Sequence, residues 1–372
     1  MDTRSTDLLE RKRNMQKEIE INAAHAQTQT GEKSQTPTVK SKPKIAVIGA
    51  GGTISTRSAQ GPLDLVNYMT EGITLHAEEL LDELPQVHNI AEIIAVKFRA
   101  ASSTSIAFNE WKKLALALED IVATHPDLNG VVILHGTATM EETAYMLHLT
   151  CKVSIPVVLV GSQRPLSALS SDAPLNLLNA IRVACSASAQ GMGVLVCLND
   201  EIHAAREVTK AATTRLHAFR SPDFGIIGQI DAGEVSFYRQ PLRRWGPDSQ
   251  FEIRSLAQLP RVDIAYAYAG DDGTVIRALI GAHAKGIVIA AFPGGRLSAA
   301  QITACQEAQA KGIVIVLSTR AGSGKAMLDI KLRSMGIIAA DNLNPQKARI
   351  LLALALTQTC EQSQLEHIFA SY

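Results

Sequence analysis

Charge of one sign is what this chain most plainly lacks: 36 Lys and Arg stand against 36 Asp and Glu in 372 residues, for a formal net charge of zero. Without a basic excess there is no electrostatic footprint for nucleic acid, and without an acidic excess no solvating tail. No run approaches the roughly twenty apolar residues of a membrane span, and Met1 to Lys42 contains no apolar stretch of signal-peptide length. The five cysteines, Cys151, Cys185, Cys197, Cys305 and Cys360, are widely spaced, with no C-x-x-C pair and no histidine at ligand spacing. They read as buried free thiols in a reducing compartment, neither a disulfide frame nor a metal site. These absences point to a cytoplasmic protein with no nucleic-acid, membrane or metal partner.

What is present belongs to a folded protein. The length exceeds what one hydrophobic core usually covers, so one large or two medium domains are expected. Residues 1–42 are charged and polar and read as a tail in which Leu8 to Ile21 has the composition of a short charged helix. Order begins at Pro43. Short β-branched runs then alternate with helical spacing: strands over 44–48, 90–97, 131–134, 156–160 and 193–198, and helices over 75–84, 109–124 and 173–188. Such alternation requires a parallel sheet whose strands deliver their C-terminal ends to one edge. A Pro- and Gly-containing charged stretch, 239–261, reads as a linker. A second alternating unit, 262–372, follows with strands over 263–267, 286–292 and 312–318 and helices from Val275, Ser298 and Pro345. The expected fold is α/β: a larger N-terminal parallel-sheet domain over 43–238 and a smaller C-terminal α/β domain over 262–372.

Hydroxyl residues collect at the predicted edge. Thr53 follows the first strand in Gly49-Ala-Gly-Gly-Thr-Ile54, Ser103 lies in Ala101-Ser-Ser-Thr-Ser105, Thr137 and Thr139 follow Val131–Leu134, and Ser162 follows Pro156–Val160. Each alone reads as a helix cap; their convergence on one edge marks a site. The glycine loop is not a dinucleotide fingerprint, because Ile54 stands where the third glycine belongs. Ala321-Gly-Ser-Gly-Lys325 is not a phosphate loop either, with Thr319 in place of the first glycine and Ala326 in place of the hydroxyl. The polar segment from Arg57 to Tyr68 reads as a flap over a pocket or as a surface loop.

Four stretches also carry a resemblance: Gly51-Gly-Thr-Ile54, His135-Gly-Thr-Ala-Thr-Met-Glu-Glu-Thr-Ala-Tyr145, Val160-Gly-Ser-Gln-Arg-Pro165 through Asn179, and Asn344-Pro-Gln-Lys-Ala-Arg349. In order and spacing the chain resembles, from about Lys44 to Tyr372, the bacterial-type L-asparaginase family of threonine amidohydrolases. The resemblance implies hydrolysis of a small-molecule amide to an acid and ammonia with no metal or organic cofactor, in a homotetramer built as a dimer of dimers. It assigns Thr53 as nucleophile, Thr137 and Lys210 as its catalytic partners, and Tyr68 as the flap tyrosine. Ser103, eight residues before Trp111, takes the substrate carboxylate, with Gly52, Thr104, Gly136 and Ala138 around the substrate. An amide carbon is a poor electrophile and a threonine hydroxyl a poor nucleophile, so a base and an oxyanion hole are both needed. Lys210 serves as a base only where burial or a neighbouring cation lowers its pKa.

One departure stands out. The family motif reads Thr-Asp-Thr where this chain reads Thr137-Ala-Thr139, so the carboxylate that accompanies the lysine and grips a substrate α-ammonium is missing. In the second unit, where family members turn an asparagine and a glutamate toward that ammonium, this chain offers Gly270 and Lys331, with Asp271, Asp272 and Asp329 nearby. Three expectations follow: an amidohydrolase for a substrate without an α-ammonium, an L-asparaginase weakened at Ala138, or a non-catalytic binder of small acids.

Overall fold

The computed structural model describes residues 41–98 and 102–372. The tail reading and its helix at 8–21 lie outside these residues, apart from positions 41 and 42.

The first sheet begins with β1 (Lys44–Gly49). After a small hairpin, β2 (Thr56–Arg57) and β3 (Ile73–Thr74), come β4 (Glu92–Val96), β5 (Gly130–Leu134), β6 (Val157–Val160), β7 (Val194–Leu198) and β8 (Glu201–Ala204). A two-stranded ribbon, β9 (Thr209–Lys210) with β10 (Phe219–Arg220), precedes β11 (Gly228–Asp231) and β12 (Glu234–Phe237). The eight strands run in the order β12-β11-β8-β7-β6-β5-β1-β4. Strands β4, β1, β5, β6 and β7 are mutually parallel, in runs such as Val131-Val-Ile-Leu134 buried on both faces. The chain leaves β1 for β4 on one side and returns to β5 on the other, so the strand order reverses at β1. In open α/β sheets such a reversal is where a crevice is expected, beyond the strands' C-terminal ends.

The parallel alternation stops earlier than the sequence suggested. Asn199 and Asp200, which follow the strand expected over 193–198, adopt φ of 52° and 62° and form a two-residue turn that sends β8 back antiparallel to β7. Ala232 and Gly233, with φ of 49° and 91°, do the same between β11 and β12. Two consecutive left-handed residues match the right-handed twist of paired strands, so the sheet ends in an antiparallel edge. The helix expected over 173–188 stops at Cys185, and a separate turn follows over Ala187–Ala189.

The second sheet, β13 (Val262–Tyr266), β14 (Gly286–Ala291), β15 (Val314–Thr319) and β16 (Ile338–Ala339), is parallel throughout and runs in sequence order, without a reversal. The helix Pro345–Ala355 packs against β13 and β14 and also against the helix Met140–Thr150, so one apolar core joins the two sheets. All five cysteines are free, but Cys360 is exposed and Cys185 only half-buried, which corrects the expectation of uniform burial. Cys360 lies in the exposed stretch after the turn that ends the helix Pro345–Ala355. Burial pushes the Cys151, Cys197 and Cys305 thiols up to about 12, leaving them inert near neutrality.

Two neutral histidines lie in this core. His135 at the end of β5 is pushed down to about 4 by burial, and His148, which accepts the Val194 N–H at 3.3 Å and stacks on Trp245, to about 3. Both values lie below the ordinary 6.5, so on acidification the unfolded chain takes up protons first. Stability present above pH 6.5 is therefore lost as pH falls toward 4 and 3. The urea midpoint is expected to decline across that window, and His148→Gln to flatten part of the decline; an unchanged slope in the variant would contradict the assignment.

Candidate active site

The loops after β1 and β5 meet at the crevice because neither carries a side chain where they touch. Gly52 sits at φ 97°, and a Cβ on it would lie 2.3 Å from the Gly136 Cα. A Cβ on Gly136 would in turn lie 2.6 Å from Ser103 Oγ. The Ala50 N–H donates to the Leu134 carbonyl at 2.9 Å, continuing the β1–β5 ladder into the loops. Thr53, Ser103 and Thr137, which come from three separate loops, are thereby gathered around two backbone contacts.

Thr53 opens a short turn, Thr53–Ser55, and its Oγ1 lies 3.2 Å from the Tyr68 hydroxyl. Tyr68 is 8% exposed and starts a single helical turn after the flap-like segment. Ser58 Oγ donates to Asp64 at 2.6 Å, and Asp64 also accepts the Val66 and Asn67 N–H groups. The Ser58 hydroxyl is the largest influence holding the Asp64 carboxyl below its ordinary value. Leu63, Val66 and Met69 turn outward from this otherwise polar segment.

A second pair forms beside the first. Lys210, half-buried on β9, donates from Nζ to Thr137 Oγ1 at 2.7 Å, and burial lowers its pKa from 10.5. Among the described residues its nitrogen makes no ion pair within 4.0 Å. Ala138, next to Thr137, is exposed and carries no polar group.

The remaining expected residues take different places. Thr139 stands at the N-cap of the helix Met140–Thr150 without capping it; its hydroxyl donates instead to the Ser103 carbonyl at 2.7 Å, tying that loop to the site. Thr104 is exposed and pairs with the Ser102 hydroxyl at 2.8 Å. Ser162 is buried, but its hydroxyl donates to the Arg164 carbonyl, so the turn uses it internally; the adjacent Gly161 is what packs on the Thr137 methyl. Asp271, Asp272 and Asp329 are engaged in their own turns, accepting the N–H groups of Gly273, Thr274 and Leu332. The Gly324 N–H of the glycine loop at 321–325 donates to Asp223.

Sequence reasoning assigned no role to Glu141, Asn344 or Lys347, although all three lie in quoted motifs. A lysine inside the apolar face of Ala348-Arg-Ile-Leu-Leu352 and an acid in the first turn of a buried helix were the available signals.

The fold and this edge define an α/β protein with a threonine–tyrosine pair and a threonine–lysine pair at a switch point. Comparison with known proteins agrees. The Asparaginase, N-terminal model matches residues 44–243, and the Glutaminase/Asparaginase C-terminal domain model matches 261–369. L-asparaginase 2 of Bacillus subtilis is 38% identical over 347 residues, covering 93% of this chain and 91% of its own. A probable periplasmic L-asparaginase of Haemophilus influenzae is 37% identical over 332 residues, covering 89% and 93%. The crystal structure of a probable cytoplasmic L-asparaginase from Campylobacter jejuni superposes with a TM-score of 0.82 at 37% identity, over 89% of this chain and all of that one. The chain belongs to the asparaginase family of amidohydrolases.

Gly52→Ala tests the backbone contact. It forces a Cβ against Gly136 at a left-handed φ, costing about 1–3 kcal/mol in strain alone and parting the Thr53 and Thr137 loops. Ammonia release is expected to fall at least about 100-fold in a protein that still folds; retention of half the rate would contradict the contact's role.

Proposed function

We propose that this protein hydrolyses the side-chain amide of a small carboxylic acid that lacks an α-ammonium, releasing ammonia by threonine nucleophilic catalysis. The observation that carries the reading is the Lys210–Thr137 pair beside Ala138: a half-buried cation on a hydroxyl, with a methyl at position 138 and no carboxylate there for a substrate ammonium to meet. Thr53 Oγ attacks the amide carbon, and Tyr68, within reach of that oxygen, relays its proton. N–H groups of the glycine loop receive the oxyanion. The C–N bond breaks as the leaving nitrogen takes up a proton, giving ammonia and a threonine ester. A water held by Thr137 and Lys210 then cleaves the ester, restoring the Thr53 hydroxyl and releasing the acid. Ser103, Thr104, Gly52 and Gly136 line the substrate's carboxylate side.

Deleting the acid at position 138 suits an uncharged group there, since a carboxylate facing no cation leaves a desolvated charge unpaired. Gly270 and Lys331 fit the same logic, as neither attracts an ammonium. The subunit is read as two domains, 43–238 and 262–372, joined through 239–261. Subunits pair and pair again into a homotetramer in the cytoplasm, and Tyr266, Tyr268, Met327 and Ile330 supply exposed apolar surface for that assembly.

Ammonia release measured across asparagine, glutamine and succinamate is the direct test. Succinamate or a related half-amide is expected to be the best substrate, and Thr53→Ala to abolish its turnover. Asparagine as the best substrate would favour a weakened asparaginase, and ligand binding without turnover of any amide a small-acid binder. The rate is expected to rise with pH as Lys210 loses its proton, with a half-point below 10.5, a limb that Lys210→Met removes.

A further inference from the structure

The short segment that carries Lys210 is held from both sides, and we infer that Glu141 and Lys347 are positioning residues for Lys210, fixing the backbone of residues 205–210 so that its nitrogen stays on the Thr137 hydroxyl. The inference rests on the reading of Lys210 and Thr137 as partners.

Lys347, 1% exposed, is the third residue of the helix Pro345–Ala355, and its Nζ donates to the carbonyls of Ala205 at 2.9 Å, Arg206 at 3.0 Å and Val208. An ammonium has three N–H donors, and three consecutive-turn carbonyls take all of them. Desolvation pushes Lys347 down to about 8, with the Glu141 charge opposing, so it remains protonated at neutral pH. From the other side Glu141, 5% exposed in the first turn of the helix Met140–Thr150, accepts the Lys210 backbone N–H at 3.3 Å and the Thr209 hydroxyl at 3.2 Å on Oε1. Gln346 donates to the same oxygen at 3.3 Å, and Asn344 Nδ2 to Oε2 at 2.8 Å.

All four partners of Glu141 are donors, so a carboxylate satisfies them and an amide cannot. Asn344 completes the link by capping the Lys347 N–H with its Oδ1 at 3.1 Å. The same helix, Met140–Thr150, thus follows Thr137 at one end of the pair and through Glu141 grips the strand of Lys210 at the other. Because Ala138 offers the lysine side chain no acid to hold it, its placement falls to the backbone.

The experiment uses the full chain labelled with 13Cε-lysine, the Lys210 signal being assigned with Lys210→Arg. In wild type Lys210 is expected to titrate below 10.5. In Glu141→Gln its midpoint is expected to move up toward that value as the side chain leaves its half-buried place, while kcat falls at least about tenfold and KM stays within about threefold. Asn344→Ser, which keeps a capping oxygen but removes the donor to Glu141, should shift both readouts in the same direction and covers the case in which the buried-charge variants fail to fold. A Lys210 midpoint unchanged in folded Glu141→Gln or Asn344→Ser would overturn the inference. If the wild type turns over no amide, the catalytic reading fails, and the Lys210 midpoint still decides the positioning.

Discussion

Everything at this site depends on two stretches of backbone touching where neither has a side chain. The Gly52 position is closed to a Cβ by the Gly136 main chain, and Gly136 by the Ser103 side chain, and the contact forms where the sheet order reverses at β1. Strand order places the two loops side by side; the glycines allow them to close. Thr53 and Thr137, each one residue beyond a contact glycine, inherit their proximity from it. Tyr68 reaches Thr53 only because the hairpin β2–β3 returns the flap segment to the same edge.

The second constraint is electrostatic. A carboxylate 4 Å from a partly buried ammonium is worth about 4 kcal/mol at an effective dielectric of about 20, close to three pKa units. With alanine at 138, that term is absent beside Lys210, and burial alone acts on the lysine. Its pKa moves down, toward the range of a working base. The same absence removes the attraction a substrate ammonium would feel. In the proposed reading one side chain therefore bears on both the readiness of the lysine and the charge of the substrate, and the lysine's geometry passes to the buried network of Glu141, Asn344 and Lys347.

Much of the fold was readable from short apolar runs and their spacing, because strands buried on both faces, such as Val131–Leu134, have no competing period. The antiparallel edge was not, since Asn199-Asp200 is a hairpin signal only once a strand is expected on each side of it. At the site, residue type and loop position sufficed to nominate Thr53, Ser103 and Thr137, and the family motif added Lys210 and Tyr68. Ser162 was nominated by the same edge rule, and its hydroxyl turned inward to Arg164, a local choice the pattern does not record. Glu141 and Lys347 escaped notice because their partners lie far away in sequence, backbone carbonyls up to 142 residues off for Lys347 and side chains up to 205 residues off for Glu141, a relation without local periodicity.

Substrate preference in Ala138→Asp tests the central claim most directly. Restoring a carboxylate beside Thr137 and Lys210 is expected to raise kcat/KM for asparagine relative to succinamate by at least about tenfold, the reach of one well-placed charge. An unchanged ratio, with both enzymes folded and active, would contradict the assignment of substrate charge to position 138.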